Sequence, residues 1–367
     1  MPAASAQHAA AQAAPPAAIA GKLLRWFERH GRHDLPWQHP RSPYRVWVAE
    51  IMLQQTQVQT VVRYFERFMA RFPDVQALAA ADQDTVMRYW AGLGYYARAR
   101  NLHATAQQLV AQHGGVMPAA LAELQALPGI GRSTAGAIRA QAFDLWAPIL
   151  DGNARRVLAR VAAIQARPGT ARFDNSLWPL AEQYTPTARV ADYTQAIMDL
   201  GALVCTRRSP LCGQCPLRSA CLAYRFGLQD ALPAPRRRAA RPQRQVELLL
   251  ITDSRGRILL HKRPPAGIWG GLWSLPEVPA GTGAARHCRE QLGLHALSVQ
   301  SLAPLRHAFT HFELEITPLR VQAGTPTGIM DAALQWHAPG ALPGLPAPIR
   351  RIIKQQFADS AQGAANP

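Results

Sequence analysis

Four cysteines within seventeen residues constrain this chain more than any other feature of it. Cys205, Cys212, Cys215 and Cys221 are separated by six, two and five residues, and the fifth cysteine, Cys288, stands alone. An odd count clustered in this way is not the disulfide framework of a secreted domain. A cytoplasmic, reducing compartment is expected, with the four thiols free to bind metal and the segment 205–221 folded around it. Zinc and an iron–sulfur cluster both accept four cysteine ligands. Zinc ribbons usually pair two C-x2-C knuckles, whereas only Cys212 and Cys215 have that spacing here. Spacing alone favours iron–sulfur and leaves zinc open.

The charge balance narrows the partner. Lys and Arg number 40 against 23 Asp and Glu, a formal charge of +17 that exceeds ordinary solubility charge and implies a polyanion. Nucleic acid is preferred to a membrane surface, because no apolar run reaches the roughly 20 residues of a spanning helix. No lipidation signal is present either. The 367 residues exceed what one core usually encloses, so two domains are expected.

Residues 1–18, rich in Ala, Pro and Gln, lack the basic start of a signal peptide and are expected to be a disordered tail. From 19 to 228 apolar residues recur at helical spacing, which predicts an all-α domain. Within it, two apolar stripes between Arg45 and Phe72 predict one central buried helix. Leu127-Pro128-Gly129-Ile130-Gly131 predicts a turn between a helix ending near Ala126 and another from Arg132 to Ala142. Its free amides suit a phosphate. Residues 229–244 are Pro- and Arg-rich, a linker whose arginines (Arg236, Arg237, Arg238, Arg241, Arg244) are either a solvated spacer or a phosphate contact. From 245 to 355 the period shortens: strands at Val246–Thr252 and Ile258–Lys262, a helix at Ala284–Leu292 and a strand at Glu313–Ile316 predict an α+β domain. Residues 356–367 are expected to be a second tail.

Two carboxylates stand out. Glu50 is flanked by Val46, Val48, Ile51, Met52 and Leu53, an apolar setting that raises a carboxyl's pKa and suits a general acid, unless an arginine pairs with it. Asp151, in a turn before a helix expected over Ala154–Ala163, reads on its own as an N-terminal cap.

The four-cysteine spacing, the helical scaffold, the hairpin and the basic charge together resemble the endonuclease III superfamily of helix–hairpin–helix DNA glycosylases. The resemblance runs through Leu35-Pro36-Trp37, Val48-Ala49-Glu50-Ile51-Met52-Leu53-Gln54-Gln55-Thr56, Gly92-Leu93-Gly94-Tyr95-Tyr96, Leu127 to Ala137 and Asp151-Gly152-Asn153. The string around Glu50 and the appended second domain look like the MutY family of adenine DNA glycosylases.

That resemblance implies a 4Fe-4S cluster on Cys205, Cys212, Cys215 and Cys221. It also implies a monomeric enzyme acting on double-stranded DNA that holds adenine opposite 8-oxoguanine or guanine. Glu50 would protonate adenine, Asp151 would stabilise the cationic sugar and Asn153 would orient water or substrate. Bifunctional relatives carry a lysine where this chain has Ser133, so a monofunctional glycosylase leaving an abasic site is expected. Gln54, one turn from Glu50, and Tyr95 would enter the duplex. Gln55, Leu127, Gly129, Gly131 and Arg132 would complete the contacts of the helical domain. Residues 256–292 resemble a MutT-like (Nudix-like) domain without its magnesium-binding acidic run. This second domain would therefore inspect the lesion, through Phe309, Thr310 and His311. Thr310 stands where the family commonly has serine.

Overall fold

The structure, a computed structural model, describes residues 15–235, 240–279, 282–326 and 331–363. The chain divides into two compact units, one bounded by Met1–Ala79 and Ala104–Arg238, the other by Ala80–His103 and Ala239–Pro367. Its helices up to the cysteine loop are α1 (Pro16–His30), α2 (Pro43–Leu53), α3 (Val58–Arg71), α4 (Val75–Ala80), α5 (Gln83–Trp90), α6 (Ala97–His113), α7 (Leu121–Ala126), α8 (Arg132–Phe143), α9 (Gly152–Val161), α10 (Ala171–Tyr184) and α11 (Val190–Asp199). A π-turn over Leu200–Val204 then leads into Cys205. The short α12 (Leu222–Arg225) follows Cys221.

The first unit is helical. α1 buries Ile19, Leu23, Trp26 and Phe27, the inward stripe of an amphipathic helix. These meet Leu150, Leu158, Phe173, Leu177, Ile197 and Leu200 in a single apolar cluster. α11 packs against α1 and α8, and α2 packs against α3 and α8. Gly136 on α8 lets the segment before α9 approach closely: a Cβ there would lie 2.4 Å from the carbonyl oxygen of Pro148. Only glycine lets the irregular stretch 147–150 cross α8 so closely and deliver Asp151.

Several boundaries differ from the sequence expectation. α1 opens at Pro16, inside the expected tail, with proline at the first helical turn where its missing N–H costs nothing. The expected helix from Arg45 to Phe72 is two helices, α2 and α3. Gln55 takes a left-handed φ of 59° and the amide of Thr56 turns back to the carbonyl of Leu53 at 3.2 Å, so the polar run 54–57 ends one helix before Val58 starts the next. Apolar periodicity does not register a break four residues long, because the stripes resume in phase.

The second unit is α+β. Its strands are β1 (Gln243–Thr252), β2 (Ile258–Lys262), β3 (Trp273–Ser274), β4 (Glu277–Val278), β5 (Leu294–Ser301), β6 (Leu305–Ala308), β7 (Glu313–Pro326) and β8 (Leu334–His337). Its later helices are α13 (Ala284–Gln291) and α14 (Ala347–Gly363). One mixed sheet runs β3-β2-β1-β7-β5, with β4, β6 and β8 paired to β1, β7 and β2. The central pair β1 and β7 is parallel. The expected hairpin is present: Thr252 faces Ile258, and the Asp253 carboxylate accepts from the amides of Arg255 (3.0 Å) and Arg257 (2.8 Å) to close the turn. Leu248 to Ile251 are all buried, as a strand covered on both faces requires.

Cys288 on α13 belongs to this core, and burial pushes its thiol up to about 11. It packs as a small apolar residue. Arg236, Arg237 and Arg238 of the expected linker lie outside the described residues. Arg244, by contrast, is part of β1, its guanidinium 4.7 Å from the Phe312 ring. α14 runs to Gly363, well into the stretch expected to be a tail.

Candidate functional site

A pocket of about 390 Å³ opens in the first unit where the end of α2, the start of α8 and the start of α9 meet. Glu50, Gln54, Gln55, Ser133, Asp151 and Asn153 all line it, so residues spread over a hundred positions are brought to one place. Glu50 is half-buried and accepts a 2.7 Å hydrogen bond from the side-chain amide of Gln141 on α8. Burial pushes its carboxyl from 4.5 to about 7, the Gln141 bond draws it down and the charge of Asp151 pushes it up. Among the described residues its partner is this amide and not an arginine.

Asp151 caps α9, as its place before a helix suggested, and lines the pocket. One carboxylate oxygen accepts the amide of Ala154 at 2.7 Å, capping α9, and the other accepts from the Asn153 side chain at 3.2 Å. The cap fixes the carboxylate at the pocket wall, beside the positive end of a helix. Asn153 is held in turn by Arg156, which donates to its oxygen at 2.8 Å. Arg156 also donates to the carbonyls of Gly201 and Cys205, each at 2.6 Å. Gln141 and Arg156 were not singled out by the sequence, since neither has a spacing or composition that marks it.

Ser133 accepts the amide of Leu150 at 3.0 Å, so its hydroxyl tethers the segment leading to Asp151. Gln54 follows the last residue of α2 and is not a turn further along it; its amide donates to Thr134 at 3.2 Å. Asp199 is wholly buried and accepts from Arg32 through the backbone (2.7 Å) and the guanidinium (2.9 Å), and from Gln195 (2.7 Å). Arg32 and Gln195 also line the pocket.

The turn before α8 forms as expected. Gly129 has a φ of 78°, open only to glycine at low cost, and Gly131 caps α8 without a side-chain cap hydrogen bond. Gly129 and Gly131 are exposed, whereas the Leu127 side chain is buried and serves as the foot of the turn. Arg132 is engaged by Glu182 at 2.5 Å and lies 3.7 Å over the Trp178 ring.

In the second unit, Phe309 to Phe312 form the tip between β6 and β7, closed by a 2.9 Å bond from the Phe309 amide to the Phe312 carbonyl. Thr310 and His311 are exposed there. The Thr310 hydroxyl is 3.0 Å from the hydroxyl of Tyr95, which is itself 44% exposed and left-handed at φ 50°.

The four clustered cysteines line a loop pinned to α9. Buried Arg160 donates to the carbonyl of Thr206 (2.7 Å) and to the sulfur of Cys205 (3.3 Å), and Cys221 donates to the carbonyl of Arg160 (3.4 Å). Burial pushes the thiol of Cys215 up to about 12, with the neighbouring cysteines adding to the rise. Cys212 and Cys221 are raised by the same causes. Such thiols remain thiolates together only around a multivalent cationic group. Among the described residues no three His, Cys, Asp or Glu side chains are placed to hold a single ion. A cubane asks for something else, one thiolate at each of four irons.

Comparison with known proteins gives these features names. Residues 48–183 match the HhH-GPD superfamily of base excision DNA repair proteins, 205–221 the iron-sulfur binding domain of endonuclease III, and 247–355 the NUDIX domain. The cofactor of the cysteine loop is therefore a 4Fe-4S cluster. Replacing one ligand, Cys215→Ser, should remove its broad visible absorption and most of its iron. It should also lower the thermal midpoint by about 10 °C, since loss of a metal centre is among the large single-residue effects. Absorption and midpoint unchanged from the parent would refute this role.

The structure of a thermostable thymine-DNA glycosylase is 26% identical with a TM-score of 0.51, covering 57% of this chain and 97% of its own. The adenine DNA glycosylase of Buchnera aphidicola subsp. Baizongia pistaciae (strain Bp) is 36% identical over 297 residues, 81% of this chain and 84% of that protein. The Mus musculus adenine DNA glycosylase is 37% identical over 81% of this chain and 69% of its own, and the Homo sapiens one 35% over 87% and 70%. With a helix–hairpin–helix domain, an iron–sulfur loop and a Nudix-like domain in that order, and these identities across most of both chains, the protein belongs to the adenine DNA glycosylase family and is a DNA glycosylase of base excision repair.

Proposed function

We propose that the chain, as a monomer, hydrolyses the N-glycosidic bond of adenine paired with 8-oxoguanine or guanine in double-stranded DNA, and leaves an abasic site. The observation that carries this reading is the pair Glu50 and Asp151 in one pocket, with Glu50 held near 7. A carboxyl at that value is substantially protonated at neutral pH, as an acid for a purine leaving group must be. Glu50 gives its proton to N7 of the extruded adenine. The bond from C1′ to N9 breaks and its electron pair leaves with the base. Asp151 faces the oxocarbenium-like sugar that remains, as the second carboxylate does in glycoside hydrolysis. Water adds to C1′ and returns its proton to Glu50, with Asn153 placed to orient it.

Extruding the base costs a few kcal/mol of pairing and stacking, offset by side chains that enter the duplex. Gln54 and Gln55 at the pocket rim and exposed Tyr95 are suited to that. The free amides of Gly129, Gly131 and the first turn of α8 suit a backbone phosphate, and the exposed Arg207, Arg208 and Arg218 of the cluster loop add charge. In the second unit, the exposed tip at Thr310 and His311 is suited to meet the base opposite the adenine. Its threonine keeps the hydroxyl of the family's usual serine.

Ser133 supports hydrolysis without strand cleavage. Its hydroxyl is committed to the Leu150 amide and no amine stands there to form a Schiff base. Mixed with A:8-oxoG duplex and borohydride, the wild-type enzyme should give no efficient covalent adduct, and strand breaks should appear only after alkali. Efficient trapping would refute the monofunctional reading. Single-turnover assays on duplexes with A:8-oxoG, A:G and thymine glycol test the substrate. Release from thymine glycol and not from the adenine mispairs would overturn it.

A further inference from the structure

We propose that Trp269 is a positioning residue for discrimination of the base opposite adenine, acting by holding the tip Phe309–Phe312 from beneath. This rests on the reading that the tip meets that base. Trp269 lies in the loop between β2 and β3, is only 7% exposed and has a φ of 56°. A bulky side chain rarely takes this left-handed conformation, and a loop free to relax would abandon it. The loop is not free. The amide of Arg263 donates to the carbonyl of Leu272 at 2.9 Å, and the amide of Leu272 donates to the carbonyl of Trp269 at 3.0 Å. The Arg100 guanidinium binds the carbonyl of Gly270 at 2.5 Å.

This backbone aims the indole at the tip. The Trp269 ring is 6.2 Å from His307 and 5.9 Å from Phe309, tilted to each. Phe309 is 4.7 Å edge-on from His307 and stacks on Phe312 at 4.4 Å and 17°. Phe309 is therefore supported on three sides, and the next residue is Thr310, whose hydroxyl meets Tyr95. The indole fixes the base of the tip while Tyr95 fixes its end. Neither Glu50 nor Asp151 belongs to this aromatic group.

8-Oxoguanine presents an N7–H donor and an O8 acceptor where guanine has a bare N7 acceptor, so a hydroxyl separates the two only if its place is fixed. Loss of the indole should let the tip drift and cost discrimination without cost to the chemistry. Glycine takes a positive φ freely, so Trp269→Gly removes the ring and keeps the backbone. Trp269→Phe keeps an aromatic support.

The test measures, on the full-length enzyme with its cluster, single-turnover adenine release at saturating enzyme from A:8-oxoG and A:G duplexes. It also measures affinity for both duplexes carrying an uncleavable adenine analogue. Trp269→Gly should reduce the 8-oxoguanine over guanine preference about tenfold in affinity, leave the saturated rate on A:G within about twofold, and be largely rescued in Trp269→Phe. A Trp269→Gly enzyme with the parent's preference overturns the proposal. So does an equal loss on both duplexes accompanied by lost iron or a lowered thermal midpoint, which would make the ring merely structural. A wild-type enzyme with no preference between the duplexes would instead refute the reading of the tip, and the proposal with it.

Discussion

Glu50→Gln should lower single-turnover adenine release by about 10² to 10⁴-fold, the range that a positioned general acid supplies. The substitution is close to isosteric, and its carbonyl oxygen can still accept the Gln141 hydrogen bond, so duplex binding should persist. The wild-type rate at saturating enzyme should fall as pH rises through about 7, because the active form is the protonated one and burial places its titration there. The glutamine variant should lack that limb.

The substitution should act on stability in the opposite sense to its effect on activity. The folded-state value lies above the ordinary 4.5, so ionisation is penalised in the fold and the wild type loses stability between about 4.5 and 7 as pH rises. Glutamine carries no such penalty. At pH 8 the variant should be at least as stable as wild type, by up to about 3 kcal/mol, and less in so far as solvent reaches the carboxyl. Equal adenine release by both proteins would end the assignment of Glu50.

Asp151→Asn should lower the same rate by about 10² to 10³-fold, the scale of removing one preorganised electrostatic group. Asparagine caps a helix as well as aspartate does, so the bond to the Ala154 amide and the stability of α9 should survive within about 1 kcal/mol. The charge that raises Glu50 would also be gone, and the pH limb of any residual activity should move down. Asp151→Ala is the contrast: it loses cap and charge together, and should cost about 1 kcal/mol of stability besides activity. If Asp151 were a cap alone, the asparagine enzyme would turn over like wild type.

Local features were legible where the chemistry is local. The cysteine spacing announced a metal loop, and Leu127 to Gly131 announced a turn with open amides. Strand alternation gave the hairpin of the second unit, with β2 at its observed bounds and β1 ending at Thr252 but starting three residues earlier than expected. The apolar neighbours of Glu50 signalled an elevated carboxyl before any partner was known. Periodicity failed at Gln54–Gln57, where a break short enough to preserve phase looks like one continuous helix. It also gave no sign that residues 80–103 share a compact unit with the C-terminal sheet, where the Trp273 indole and Lys262 meet Asp84.

The four cysteines show where the division falls. Their number and spacing, with the motifs around them, determined the kind of cofactor, the helical scaffold and the carboxylates to examine, because each depends on residues near one another in the chain. Along the chain the cysteines lie more than fifty positions from Asp151. The fold links the cysteine loop to Asp151: Arg156 bonds the carbonyl of Cys205 on one side and Asn153 on the other, and Asn153 holds the Asp151 carboxylate. Hydrogen bonds between residues some fifty positions apart leave no period and no motif, since any chain of donors and acceptors could make them. Folding alone, by crossing α8 at Gly136 and turning through a π-turn into the cysteine loop, selects which ones form.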